Sequence, residues 1–320
     1  MIILMSGSTG FIGKRLKIEL LKKGHTIFSL KRVDHKQDDT HLAETDISLR
    51  HINNLEKIFK KRNLFFDCII HLATSYGKDS ETRSEINEVN YNLPKRMFEI
   101  ALKNKVKMFI NFDTSLPDDT NFYSTTKANF RNFVKENCEV NKLRFFNLRL
   151  QNVLGVDTRI KSFPYQLVKA CFLNDDIFEI TPGEQIRDFI HINDVLDCLL
   201  FLIAVRDTFE DGFNDFDLGS GKGVSIKAFA TLVKKLSSSR TKLLFGAKKY
   251  QTNEPFTNIA NPNKLRALGW VSKIELSEAI GMMLQELQEK IKEMVEKLPL
   301  TVESMNKMKE TELGQNQAVN

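Results

Sequence analysis

The chain has 320 residues, 42% hydrophobic and 28% charged. This composition excludes wholesale disorder and collagen-like repeats and fits one large α/β domain, or one carrying a smaller lobe. Lys and Arg exceed Asp and Glu by 47 − 41 = 6, but basic and acidic residues are interspersed, which argues against a nucleic-acid partner and suits a small anionic ligand. The longest apolar run, 199–205, is far short of a bilayer span, and residues 1–5 carry no basic, cleavable leader, so a cytoplasmic protein without a membrane partner is expected. Cys68, Cys138, Cys171 and Cys198 are widely spaced and read as reduced thiols, with no metal site.

Residues 2–5 form an apolar strand, 6–10 a turn, and Ile12, Leu16, Leu20 and Leu21 recur at helical spacing up to Gly24. Apolar runs at 26–30, 65–72 and 108–112 read as further strands, the last two each following a helical stretch. That alternation predicts a doubly wound, parallel Rossmann-type sheet. The rhythm changes after Arg149. The expected organisation is a dinucleotide-binding domain at 1–150, a mainly substrate-binding lobe at 151–285 with segments returning to the sheet, and a charged helical or mobile tail at 286–320. Helices are expected near 164–172, 226–236 and 277–287.

Gly7-Ser8-Thr9-Gly10-Phe11-Ile12-Gly13 stands at the first strand–helix junction. Glycines here permit a tight turn, let backbone approach a pyrophosphate and let the helix pack close, while the helix N-terminus offers free N–H groups to phosphate. The second strand ends Ser29-Leu30-Lys31-Arg32, with two cations where NAD enzymes place an acid for the ribose 2′-OH. That favours NADP, used as NADPH, although Asp34 keeps NAD open.

The glycine spacing resembles the G-x-x-G-F-I-G of the extended short-chain dehydrogenase/reductase (NAD-dependent epimerase/dehydratase) family, whose members mostly act on nucleotide sugars. The resemblance runs from residue 1 to about 285. It implies cofactor contacts from Gly7, Thr9, Gly10, Phe11, Ile12, Gly13, the Asp46-Ile47 pair, Leu72, Ala73 and Thr74 after His71, and Asn90. The family's catalytic Tyr-x-x-x-Lys occurs three times, at Tyr91/Lys95, Tyr123/Lys127 and Tyr165/Lys169. Only Tyr123 follows a strand ending in hydroxyl residues, so Thr114, Tyr123 and Lys127 are the expected catalytic set, with Ser115 as a fallback for Thr114. Tyr and Lys at i and i+4 share a helix face, where Lys127 is expected to lower the Tyr123 pKa and both to contact the cofactor. Thr114 is followed by Ser115-Leu116-Pro117 rather than the acidic pair of the dehydratases, and Asp118 and Asp119 read as a turn.

The segment Arg187-Asp188-Phe189-Ile190-His191 resembles the family's R-D-F/Y-x-H. It implies an Arg187 contact to a substrate diphosphate across a cleft from Gly10, Thr114 and Tyr123, and an internal role for His191. Asn152 and Glu254 are implied substrate contacts, and Tyr76 is implied at the pocket mouth. Ser75-Tyr76-Gly77, the strand ending in Thr114 and Gln185-Ile186-Arg187 are most like the CDP-paratose/CDP-abequose synthases, which are NADPH-dependent 4-ketoreductases of deoxysugar biosynthesis. The resemblance thus implies reduction of the C4 keto group of a CDP- or dTDP-linked 4-keto-deoxy sugar in O-antigen or related polysaccharide synthesis. The alternatives are a C4 epimerase with tightly bound NAD and a noncatalytic dinucleotide sensor. A homodimer is also implied, with Phe130, Phe133 and Val134 as apolar contacts.

Overall fold

The computed structural model describes residues 1–31, 45–48, 65–77, 81–138, 142–157 and 162–296. Strand β1 (Ile2–Ser6) enters α1 (Phe11–Lys22) through the glycine turn, and β2 (Thr26–Lys31), β3 (Asp46–Ser48) and β4 (Cys68–His71) follow. A capping box formed by Thr82 and Glu85 opens α2 (Arg83–Asn87), which passes through a π-turn at Glu88–Asn92 into α3 (Leu93–Lys103). Next come β5 (Met108–Thr114), α4 (Phe122–Cys138), β6 (Arg144–Leu150), β7 (Asn152–Leu154), α5 (Phe163–Leu173), β8 (Ile177–Ile180), β9 (Ile186–His191) and α6 (Ile192–Ala204). The remaining elements are β10 (Gly212–Leu218), β11 (Gly223–Ser225), α7 (Ile226–Leu236), β12 (Lys242–Phe245), β13 (Thr257–Asn258), α8 (Asn263–Ala267) and α9 (Leu276–Glu296).

Seven parallel strands form one sheet in the order β3-β2-β1-β4-β5-β6-β10. This is the 3-2-1-4-5-6 order of a dinucleotide-binding fold with β10 added at its edge, and its order reverses between β1 and β4. Alternate side chains feed opposite layers. Ile3 and Met5 of β1 pack toward α1 and α6, and Leu4 packs toward α3 and α4. A second sheet joins β11, β9, β13 and β7, a small third sheet joins β8 and β12, and α5, α7 and α9 pack with them into a separate core. Among the described residues no helix is long and apolar enough to cross a membrane.

Three expectations need correction. The 65–72 run is a strand only from Cys68, because Phe65 is exposed while Phe66 turns inward against Phe28. Helix α9 runs unbroken through residue 286, so that boundary falls inside a helix. Ala279, Ile280, Met283 and Leu287 are buried in the lobe core, and residues 297–320 lie outside those described. Phe130 and Val134 are fully buried against the sheet and are not available to a second copy of the chain; Phe133 is partly buried beside them.

The layer beneath α4 is unusually aromatic. The Phe145 ring meets Phe98 at 5.9 Å, Phe109 at 5.0 Å, Phe130 at 6.0 Å and Phe213 at 5.6 Å. Phe145→Ala opens a cavity with four aromatic walls and should cost about 3–5 kcal/mol, read from urea unfolding. A loss below about 1 kcal/mol would contradict this packing.

Candidate active site

Gly7 has φ +71°, a conformation open to glycine, and a Cβ there would lie 2.6 Å from the Ala73 nitrogen. A Cβ on Gly13 would lie 2.0 Å from the Gly7 carbonyl oxygen, so the third glycine is required by the turn's own first residue rather than by the sheet. The Gly10 N–H donates to the Gly7 carbonyl at 2.9 Å, and no side chain caps the N-terminus of α1. Exposed Thr9 forms the tip of the turn. An uncapped helix start behind a cradle that side chains would fill suits a dinucleotide pyrophosphate.

A cavity of about 670 Å³ opens beyond the carboxyl ends of the sheet strands and is closed on its far side by the lobe. The glycine turn reaches it through Phe11 and Ile12 rather than Gly10, and the β4 end through Leu72 and Thr74. Thr114 and Tyr123 line it together, and the Thr114 hydroxyl accepts the Leu116 N–H at 3.2 Å. Burial raises the Tyr123 phenol well above its ordinary value, with the neighbouring Tyr76 phenol and then Asp113 adding to the effect, while the polar Thr114 side chain opposes it. The Tyr76 ring lies 5.2 Å from that of Tyr123, half exposed at the mouth, and burial of its hydroxyl end raises its pKa too.

The Lys127 amine is turned to the strand backbone. It is almost fully buried and donates to the Phe112 carbonyl oxygen at 2.8 Å. Burial draws its pKa down to about 8, against the pull of Asp113, and Tyr123 is raised rather than lowered. Tyr123 is therefore a neutral phenol across the physiological range, able to donate a proton.

Arg187 faces the cavity from the lobe, buried rather than turned to bulk solvent. Its guanidinium is paired with Glu254 at 2.5 Å and donates to the Ile186 and Phe256 carbonyls, so the two implied substrate contacts hold each other. Asn152 lines the cavity and donates to the Asp188 carbonyl at 3.1 Å. His191 has the internal role expected of it: its ring accepts the Asn193 N–H at the start of α6.

Other implied cofactor residues are engaged within the protein. Lys31 pairs with buried Asp46 at 2.5 Å, Ile47 is a core residue beside Leu30, and Arg32 lies outside the described residues. Asn90 is fully buried, with its amide exchanging hydrogen bonds with the Ser75 backbone and reaching Thr126. Ala73 is partly buried against the core, its N–H 3.5 Å from Ser6 Oγ.

Several cavity residues escaped the sequence reading. Tyr165, taken there for a coincidental motif match, lines the cavity. Ser115, Asn258 and Gln151 form a hydrogen-bonded row along its wall: Asn258 donates to Ser115 at 3.0 Å and accepts from Gln151 at 3.2 Å. Ser115 was expected only as a fallback for Thr114, and no local motif marks Asn258 or Gln151, because β13 and the end of β5 meet only through the tertiary fold. Gly13→Ala should weaken NAD(P)H binding at least tenfold, measured by fluorescence titration, because its Cβ must push the turn open. Unchanged affinity would remove the turn from the cofactor site.

The sequence matches the model of the NAD dependent epimerase/dehydratase family over residues 3–219. It is 32% identical over 294 residues to the CDP-abequose synthase of Salmonella muenchen, covering 88% of this chain and 96% of that protein. It is 28% identical to the CDP-abequose synthase of Salmonella typhimurium, covering 89% and 98%. The fold is similar to the UDP-glucose 4-epimerase of Thermotoga maritima, with TM-score 0.76 and 19% identity over 91% of this chain and all of that one. It is also similar to the UDP-glucose 4-epimerase of Thermus thermophilus in complex with NAD, with TM-score 0.70 and 17% identity over 90% and 99%. With a family match over more than half its length and a relative above 30% identity along most of it, the chain belongs to the NAD dependent epimerase/dehydratase family and is an enzyme of the oxidoreductase type.

Proposed function

We propose that this enzyme reduces the C4 keto group of a nucleotide-linked 4-keto-deoxy sugar, with a CDP-linked sugar as the first candidate and a dTDP-linked one as the second. The observation that carries the reading is the placement of Thr114 and Tyr123 side by side on the cavity wall, with Tyr123 held neutral by burial. The similarity to two CDP-abequose synthases over nearly the whole chain supports the CDP-sugar class.

The nicotinamide cofactor supplies the hydride when bound. Thr114 orients the substrate oxygen, and Tyr123 gives up its proton as negative charge grows there. Lys127 holds the β5 backbone at Phe112, two residues before Thr114, and brings a buried positive charge beside the pair. Below pH about 8 that amine is charged, and above it neutral, so turnover should fall as pH rises through about 8. Tyr123→Phe removes the proton donor and keeps the ring; kcat should drop about 10²–10⁴-fold. Tyr91→Phe, on a helix face packed into the core, should stay within a few-fold of wild type. The assay follows NADPH oxidation with CDP- and dTDP-4-keto-6-deoxy sugars, with product configuration read by NMR. Turnover without added reductant by protein carrying tightly bound NAD would favour the C4 epimerase reading.

NADPH is the proposed reductant, supported by the Lys31-Arg32 pair. Lys31 already faces Asp46, so the 2′-phosphate would share that cation with a carboxylate. Replacing Lys31 and Arg32 with Met should weaken NADPH at least about tenfold, as expected for a lost charge-assisted contact of about 1.5–3 kcal/mol, and NADH far less. Equal losses for both cofactors would count against NADP.

A further inference from the structure

Tyr123, Lys127 and Arg131 follow one another at four-residue steps on α4, so they form one stripe along its sheet-facing side. Arg131 is buried, and its fork is divided between two carboxylates. One guanidinium nitrogen donates to Asp113 Oδ2 at 2.6 Å, and the other pairs with Asp118. Asp113 precedes Thr114 and uses its other oxygen to accept the Thr114 backbone N–H at 2.7 Å. Asp118 lies in the turn joining Thr114 to α4, and its backbone carbonyl accepts the hydroxyls of Ser124 and Thr125, which directly follow Tyr123 in the first turn of α4. Asn147 of β6 also donates to Asp113 Oδ2, at 3.0 Å, and reaches Asp215 of β10 at 2.8 Å. One guanidinium thus ties together the strand end that carries Thr114, the turn that follows it and the helix that carries Tyr123.

We infer that Arg131 is a positioning residue of the proposed reaction, acting through Asp113 and Asp118 to hold the Thr114 and Tyr123 hydroxyls in register. The role rests on the ketoreductase reading for its chemistry and on the two ion pairs for its geometry. The connection from Thr114 to Tyr123 is otherwise held by neutral hydrogen bonds, from the Ser115 N–H to the Leu150 carbonyl, from Asn258 to Ser115 and between Asn121 and Ser124. An error of about 1 Å between two reacting groups costs up to about 100-fold in rate. Arginine suits the task because its planar fork serves two acceptors at fixed angles, which a lysine point charge does not.

The test uses Asp118→Asn, which releases the turn half of the clamp at a largely exposed carboxylate and leaves the buried Asp113 pair intact. The full-length variant is compared with wild type by hydrogen exchange across residues 115–125, by melting and by steady-state kinetics with NADPH and a CDP-4-keto sugar. The expected result is faster exchange confined to that segment, a nearly unchanged melting temperature, and kcat lower by about 10- to 100-fold with KM within about twofold. Arg131→Lys should show the same kcat-selective loss, because the charge remains and the fork is gone. Unchanged exchange overturns the clamp, and faster exchange with unchanged kcat overturns its role in positioning. Wild-type protein that turns over none of the keto sugars defeats the ketoreductase reading instead, and the exchange data then judge the clamp alone.

Discussion

The contact on which the site depends is the seam between α4 and the strands β5, β6 and β10. That seam has two halves of opposite character. Toward the strand starts it is a stack of phenylalanines, with Phe109, Phe145 and Phe213 facing Phe98 and Phe130. Toward the carboxyl ends the same face of the same strands turns polar. Asn111, Asn147 and Asp215 stand in one cross-strand row, and Asp113, Arg149 and Asp217 in the next. Hydrogen bonds join the first row side by side: Asn111 donates to Asn147 at 2.8 Å, and Asn147 to Asp215 at 2.8 Å.

The two halves do different physical work. The aromatic half supplies apolar burial, which is non-directional and tolerates small adjustments of the helix. The polar half is costly to bury and stays favourable only where each group finds a partner at the right angle. A buried Asp113 therefore restricts where Arg131 can lie, and with it the rotation and height of α4. The Thr114 and Tyr123 hydroxyls are presented at the boundary between these halves, where the sheet ends and the cavity begins. Lys127 sits at the same boundary. Its depressed pKa near 8 reflects a burial penalty that the nearby Asp113 only partly offsets.

On the cofactor side the governing constraint is space. The first strand–helix turn is closed so tightly that Gly13 and Gly7 are almost in van der Waals contact, and the backbone of β1 comes up against Ala73 after β4. Polar contacts also join and order the lobe beside the sheet. Asp188 gathers the backbone N–H groups of Ser220, Gly221 and Ala260, and Asn258 crosses to Ser115. Arg187, which lines the cavity, is held in the same way, by Glu254 and two carbonyls, so its geometry is set within the lobe.

Local pattern in the sequence determined the alternating strands and helices, the glycine turn at Gly7, Gly10 and Gly13, and the hydroxyl strand end at Thr114 that precedes the Tyr123 helix. Each is written within about fifteen residues: a two-residue or 3.6-residue apolar period, a steric need for glycine, a hydroxyl strand end just before a tyrosine. The same locality explains the misreadings. Phe130 and Val134 look like a free apolar stripe until the sheet is laid against them. The pairing of Arg131 with Asp113, of Arg187 with Glu254 and of Lys31 with Asp46 was decided by the tertiary structure alone. Charged side chains carry no period that names a partner, and which carboxylate a cation meets depends on which strands and turns the fold brings within a few ångströms of it.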